Sequence, residues 1–549
     1  MIRSFLLALT LSPFSVVAQT TMLVNARIHT VDAGAPRARA LAWEADGRLV
    51  FVGGAAAARE RFPDATVIDA GGRTVVPGLI DAHAHLMGLG LALMRADLTG
   101  TTDKADVIAR LQAFAADLPA DGWLLGRGWD QNDWPEQRYP TAADLDAAFP
   151  GRPVWLGRID GHAGWANTAA MRAAGVDLSG DWQPDGGRIL RQDGEPTGIF
   201  VDTAAQLVEK VAPPPSEEAL EQALERALAA AARHGLTGVH DAGTSLQDLA
   251  RYRRFADAGR LTLRVYAMAD GDAAALQALC AMGRYEHAGG RLAMRALKLY
   301  ADGALGSRGA ALLADYSDEP GHRGLLVTAP DALRKAIDKA VRCGVQVATH
   351  AIGDRGNRGV LDAYARWLPG KDLRWRIEHA QLVALQDIAR FATLEVIASV
   401  QPTHATSDMP WAGDRVGESR LAGAYAWQRF RDAGARLALG SDFPVESVDP
   451  MLGLYAAVTR QDRSGHPPGG WLPSQRLTPE QALRGFTIDA AYAGFAEDRV
   501  GSLAVGKRAD FVVLSEDPLA VAPAAVDDIR VLATYVDGRA VYRAGNGGR

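Results

Sequence analysis

Asp81-Ala82-His83-Ala84-His85 closes the apolar run 74–80. Residues two apart in a strand face the same side. His83 and His85 therefore present two imidazoles together at a strand end. Paired imidazoles suit Zn²⁺ or a similar divalent ion, although an isolated HxH is a weak signal. Three further residues end strand candidates in the same way. His350 follows 345–349, His379 follows 375–378, and Asp442 follows 437–441. Singly, each reads as a satisfied structural polar residue. Five of them at C-terminal strand ends, where barrel enzymes keep their reactive groups, point to metal binding.

Lys298 is the sixth member. The chain has only seven lysines, and the other six stand in polar or helical contexts. Lys298 sits inside the apolar strand 294–300. Burial disfavours the ammonium and favours the neutral amine. A neutral amine beside two metal ions can add CO2 to form a carbamate, an anionic bridge with two oxygens. The alternative is an unmodified lysine paired to Asp302, four residues on along the same face.

Eight strand candidates must position these groups: 74–79, 235–240, 261–267, 293–299, 345–348, 375–377, 395–400 and 436–439. Helical patterns intervene. One is 216–234, with Ser216 at its N-cap, Glu217 and Glu218 in its first turn and Gly235 past its end. This α/β alternation predicts a (β/α)8 TIM barrel over 77–494. One interval is too long. A βαβ unit needs about 30 residues or somewhat more, and His85 to Val239 is several times that. An inserted cap domain is expected after barrel strand 1, at about 100–212. Six of the 12 tryptophans fall in this interval. They read either as a pocket-forming cap over the barrel mouth or as the insertion's own core. Short β segments at 19–76 and 495–549, each too small for a core alone, predict one composite β-sandwich built from both termini.

Composition narrows the function classes. With 549 residues, 48% hydrophobic and 23% charged, the chain is ordinary globular protein, enough for three to four domains at about 150 residues each. A net charge of -6 disfavours nucleic acid, whose phosphates need a basic face. Cys280 and Cys343 are too few for a disulfide framework or a Cys-rich zinc site. Arg3, the apolar run 5–11 and the small residue Ala18 read as a signal peptide over 1–18, which makes a periplasmic or secreted location the expectation. That run is too short to span a bilayer. A homo-oligomer is left open.

The whole pattern resembles the amidohydrolase superfamily. The motifs are 77–85 (Pro-Gly-Leu-Ile-Asp-Ala-His-Ala-His), Lys298 before 301–308, Thr349-His350-Ala351-Ile352-Gly353-Asp354, Arg376-Ile377-Glu378-His379-Ala380-Gln381 and Gly440-Ser441-Asp442-Phe443-Pro444-Val445-Glu446. Asp160-Gly161-His162 and Gln401-Pro402-Thr403-His404 are similar to the amidohydrolase 3, or YtcJ-like, branch, which includes N-substituted formamide deformylase. The resemblance implies a binuclear centre, with zinc the favoured metal. His83, His85 and Asp442 would hold the first ion, and His350 and His379 the second. Carbamylated Lys298 would bridge the two. A hydroxide between the ions would attack a small-molecule amide or formamide, and Asp442 would pass its proton to the leaving amine.

Four other residues are candidates. His162 could donate to the substrate carbonyl, against a role in a local turn. Arg308 could bind a substrate carboxylate or amide oxygen, against a salt bridge. Trp129 could line the pocket. His404, four residues beyond the seventh strand, could reach the site. Asp354 and Glu378 read as orienting or structural carboxylates. The competing readings are a mononuclear deaminase or esterase on the same scaffold and a catalytically silent binding or regulatory protein. Lys298 argues against the deaminase, and the intact ligand set argues against the silent scaffold.

Overall fold

Eight parallel strands position the candidate residues: β1 (Leu79–Ala84), β2 (Leu236–Thr244), β3 (Arg264–Ala269), β4 (Leu292–Tyr300), β5 (Gln346–Ala351), β6 (Arg376–His379), β7 (Ile397–Val400) and β8 (Leu437–Leu439). Each pairs with the next. The ring is nearly closed by the Ser441 hydroxyl, just past β8, donating to Asp81 of β1 at 2.6 Å. The computed structural model describes residues 20–545 except 117, 119–121, 132–133, 159–162, 176, 185–186, 272 and 307. The expected signal segment 1–18 and His162 lie outside the described residues. The chain divides into two units, Leu86–Ala227 and the remainder.

Sequence sets these elements locally. The helix Pro330–Arg342 that leads into β5 has proline in its first turn with Asp331, and Lys339 and Arg342 in its last. Those charges complement the helix dipole. It buries Leu333, Ile337 and Ala340, one stripe at helical spacing.

The first barrel strand differs from the expected 74–79. Thr74–Pro77 pairs antiparallel with Phe511–Leu514 in another sheet, and β1 starts at Leu79. Both stretches are apolar and buried, so hydrophobicity alone does not separate them. Gly78 marks the switch: a Cβ there would lie 2.1 Å from Thr237 Oγ1, so only glycine lets the chain pass that close to β2.

The sheet that Thr74–Pro77 joins takes Arg539–Arg543, Val531–Val536 and Phe511–Leu514 from one end of the chain. From the other end it takes Arg27–His29 and Arg37–Ala38. A second, four-stranded sheet is wholly N-terminal. Leu23, Leu41 and Trp43 of the smaller sheet share one buried cluster with Val75, Phe511 and Tyr535 of the larger.

The unit Leu86–Ala227 is wider than the expected 100–212 and holds a six-stranded sheet. Trp129, Trp134 and Trp165 meet in its core, with ring centres 5.9 to 6.4 Å apart. Each indole N–H donates to a backbone carbonyl: Leu156, Thr101 and Thr141 respectively. Trp129 is 0% exposed. The pocket-lining role expected of it is corrected: a large apolar ring with a satisfied N–H serves a packed core.

Cys280 pairs with Cys343, with the Cα atoms 4.9 Å apart and a sequence separation of 63. The bond joins the helix Ala273–Met282 to the end of Pro330–Arg342. Cys280→Ser is expected to lower unfolding free energy by roughly 2–4 kcal/mol, through loss of the cross-link in the unfolded chain. Denaturant unfolding without reductant measures it, and an unchanged midpoint would show that the bond contributes no stability.

Candidate metal centre

The six residues expected as ligands converge, although they come from five different strands. On β1, Ile80 and Ala82 pack outward against Ala490, Ala491 and Val500, which turns Asp81 and His83 inward. Lys298 lies in β4, His350 in β5 and His379 at the end of β6. Asp442 lies three residues past β8. His83, His85, Lys298, His350, His379 and Asp442, with His404, line one cavity of about 350 Å³. Gly440 permits the closure: a Cβ there would sit 2.5 Å from both Asp81 Oδ1 and the His83 amide. His379 and Asp442 have φ of 72° and 65°. These are left-handed conformations that a non-glycine residue seldom adopts, and such strain collects at functional sites.

The free atoms point at one another. Asp442 Oδ1 lies 3.0 Å from His85 Nε2 and 3.5 Å from His83 Nε2. Two ligand atoms at about 2.05 Å from a tetrahedral zinc are separated by roughly 3.3 Å, so this spacing suits a shared cation. His83 Nε2, His350 Nε2 and Asp442 Oδ1 are buried with no hydrogen-bond partner. Buried polar atoms ordinarily have one, and a cation would satisfy these. The other ring nitrogens are held from outside the cluster: His83 Nδ1 by Glu378 at 2.6 Å and His379 Nδ1 by Gln401 Oε1 at 2.8 Å. Those bonds fix tautomers that leave both Nε2 lone pairs free.

Electrostatics agree with a ligand role. Burial, with Lys298 beside it, lowers His83 to about 4. The same two causes lower His350 to about 3, and burial with His350 and His83 holds His379 well below its ordinary value. All three imidazoles are therefore neutral at pH 7, with lone pairs available. Burial also lowers the Lys298 amine, whose Nζ lies 4.6 Å from the centre of the Tyr300 ring. The alternative partner for Lys298 is committed elsewhere: Asp302 accepts the backbone amides of Ala311, Ile352 and Gly353 at 2.8 to 2.9 Å.

The weaker candidates divide. His404 joins the cavity. Arg308 does not: its guanidinium makes two bonds to Asp318, at 3.1 and 2.9 Å, and lies 3.3 Å from Glu319. The expected substrate contact is corrected to a salt bridge, because two carboxylates of the chain itself already occupy that fork. Asp354 is structural, accepting the Leu313 amide. Sequence reasoning missed the cavity walls, among them Leu305, Trp411, Val445 and Glu446. Glu446 stands four residues past Asp442 in a motif already singled out. Trp411 carries no local signal.

Comparisons place this geometry among known proteins. The profile described as "Amidohydrolase family" matches residues 66–542. YtcJ of Bacillus subtilis (strain 168) is 34% identical over 511 residues, 90% of this chain and 94% of its own. N-substituted formamide deformylase of Arthrobacter pascens is 31% identical over 546 residues, covering 94% and 97% of the two chains. A crystal structure of an uncharacterized metal-dependent hydrolase from Pyrococcus horikoshii OT3 superimposes with a TM-score of 0.78 at 28% identity, over 92% of this chain and 99% of that one.

Proposed function

The chain belongs to the amidohydrolase family, and from that premise we propose that it hydrolyses a non-peptide C–N bond, in an amide or formamide, at a binuclear metal centre. The observation that carries this reading is the convergence of unpartnered His83 Nε2 and Asp442 Oδ1 with His85 Nε2, His379 and Lys298 in one cavity. The similarity to a formamide deformylase supports the bond class.

His83, His85 and Asp442 would hold one divalent ion and His350 and His379 the other, zinc being favoured by imidazole ligands. Bound there, the ions would supply an activated water and polarise the scissile carbonyl. Lys298 would serve both positions as a carbamate: its nitrogen, when deprotonated, would attack CO2, forming an N–C bond while one N–H proton leaves to solvent. Glu378 and Gln401 orient the imidazoles. Asp442 takes the proton of the attacking water and returns it to the departing nitrogen, because an amide anion leaves poorly. We also read the two sheets at the chain ends as one composite β-sandwich. Export through segment 1–18 is supported by the Cys280–Cys343 bond, since disulfides persist in oxidising compartments.

The direct test is metal content per chain with turnover on an amide and formamide library. About two ions per chain, activity lost on chelation and regained with Zn²⁺, Co²⁺ or Mn²⁺ are expected, together with an intact-mass or density signature of CO2 on Lys298. Full activity in chelator-stripped, metal-free protein would overturn the reading.

A further inference from the structure

His404 stands in the metal cluster although the family resemblance carried no ligand role to it. It lies in the helix Pro402–Asp408, two residues past β7. Its ring is parallel to that of His379, with the centres 5.8 Å apart and the planes at 15°. Its Nε2 is 3.7 Å from Asp442 Oδ2, and its side chain is 13% exposed. That nitrogen is buried without a hydrogen-bond partner, the same condition as His83 Nε2 and Asp442 Oδ1.

Among the described residues, two sets of three donors converge. His83, His85 and Asp442 each offer an atom within 4.8 Å of the others, and so do His379, His404 and Asp442. Asp442 belongs to both. Its Oδ1 faces His83 and His85, while its Oδ2 faces His404.

We propose that His404 is a metal ligand, binding the second cation through Nε2 together with His379 and with Asp442 Oδ2. Asp442 then bridges the two cation positions, with one oxygen on each. A donor set enriched in imidazole favours borderline ions such as Zn²⁺, Co²⁺ or Ni²⁺ over Mg²⁺ or Ca²⁺. The proposal rests on the metal-centre reading above and adds a ligand to it.

The experiment uses the full-length chain loaded with Co²⁺ and dialysed against graded chelator. Cobalt per chain and the visible Co²⁺ absorption are read for wild type, His404→Ala, His404→Gln and His83→Ala. Circular dichroism checks folding, and His404→Gln, which keeps a polar side chain, decides the matter where His404→Ala fails to fold. The wild type should hold about two ions. Both His404 variants should release one ion at a chelator concentration at least tenfold lower, with a changed absorption band, and keep the other as the wild type does. His83→Ala should weaken the opposite ion. Two ions held by the His404 variants along the wild-type release curve would overturn the ligand role alone. A wild type that holds no cobalt would overturn the metal-centre reading as well.

Discussion

Asp442→Asn is expected to lower kcat/KM by about 10³-fold or more on any amide that the wild type turns over, in a chain that stays folded. Removing a positioned proton carrier costs about 10²–10⁴-fold, and in the proposed centre Asp442 would also supply a ligand oxygen, so the loss belongs at the upper end. The carboxylate's place is specific. Oδ1 lies 3.0 Å from His85 Nε2, and burial, which would raise the carboxyl, is outweighed by the hydrogen bond from His85 and the surrounding imidazoles, which hold it well below its usual range. It is therefore an anion at neutral pH, the form that both a cation ligand and a proton acceptor require. The amide has nearly the same shape, so packing around Phe443 and Ser441 is undisturbed, but it is neutral and offers one oxygen in place of two. Steady-state kinetics beside metal analysis separates the two losses. A variant with full metal content and activity within tenfold of wild type would remove Asp442 from proton transfer. A variant short of one ion would assign the larger share to ligation.

What could be read from the sequence was what periodicity and residue type encode locally. His83, His350, His379 and Asp442 close short strand-like stretches, so their strand ends were visible, and the barrel order came with them. Lys298 was visible because it stands in a mostly apolar strand while the other six lysines stand in polar or helical contexts. The errors share one cause, which is that the deciding partner is distant. Residues 74–77 are as apolar as 79–82, and only pairing with Phe511–Leu514 shows that they belong to another sheet. Arg308 looked like a free cation until the loop brought Asp318 and Glu319 to it. Trp129 looked like a pocket ring until Trp134 and Trp165 closed round it. The Cys280–Cys343 pair and the wall at Trp411 likewise depend on contacts that no local pattern announces.

The second large effect concerns stability and follows from the support beneath His83. Arg376 is 0% exposed inside the barrel. Its guanidinium donates to both oxygens of Glu378 at 2.7 and 2.9 Å, to Ser399 Oγ at 2.8 Å and to His240 Nδ1 at 2.7 Å. Glu378 Oε2 in turn bonds His83 Nδ1. Arg376→Met leaves Glu378 as a buried carboxylate without its counter-charge, and Glu378→Gln leaves the guanidinium likewise. Breaking one side of such a pair costs about 3–5 kcal/mol, and each variant should lose that much in denaturant unfolding of the metal-free chain. The double variant Arg376→Met with Glu378→Met should recover much of the loss, because apolar replacement of a whole buried pair is often neutral. The pH dependence has a definite sign. Burial raises the Glu378 pKa, but Arg376 and His83 outweigh it and hold it below the ordinary carboxylate value of 4.5. Its contribution is therefore complete above about pH 4.5 and is lost as pH falls further through the folded pKa. Glu378→Gln should differ most from wild type at neutral pH, with the gap narrowing in acid. A constant gap, or single variants as stable as wild type, would show that the network positions His83 without holding the barrel together. Glu378→Gln should in that case still weaken metal binding by about 10–100-fold, the usual cost of losing the group that orients a ligand histidine.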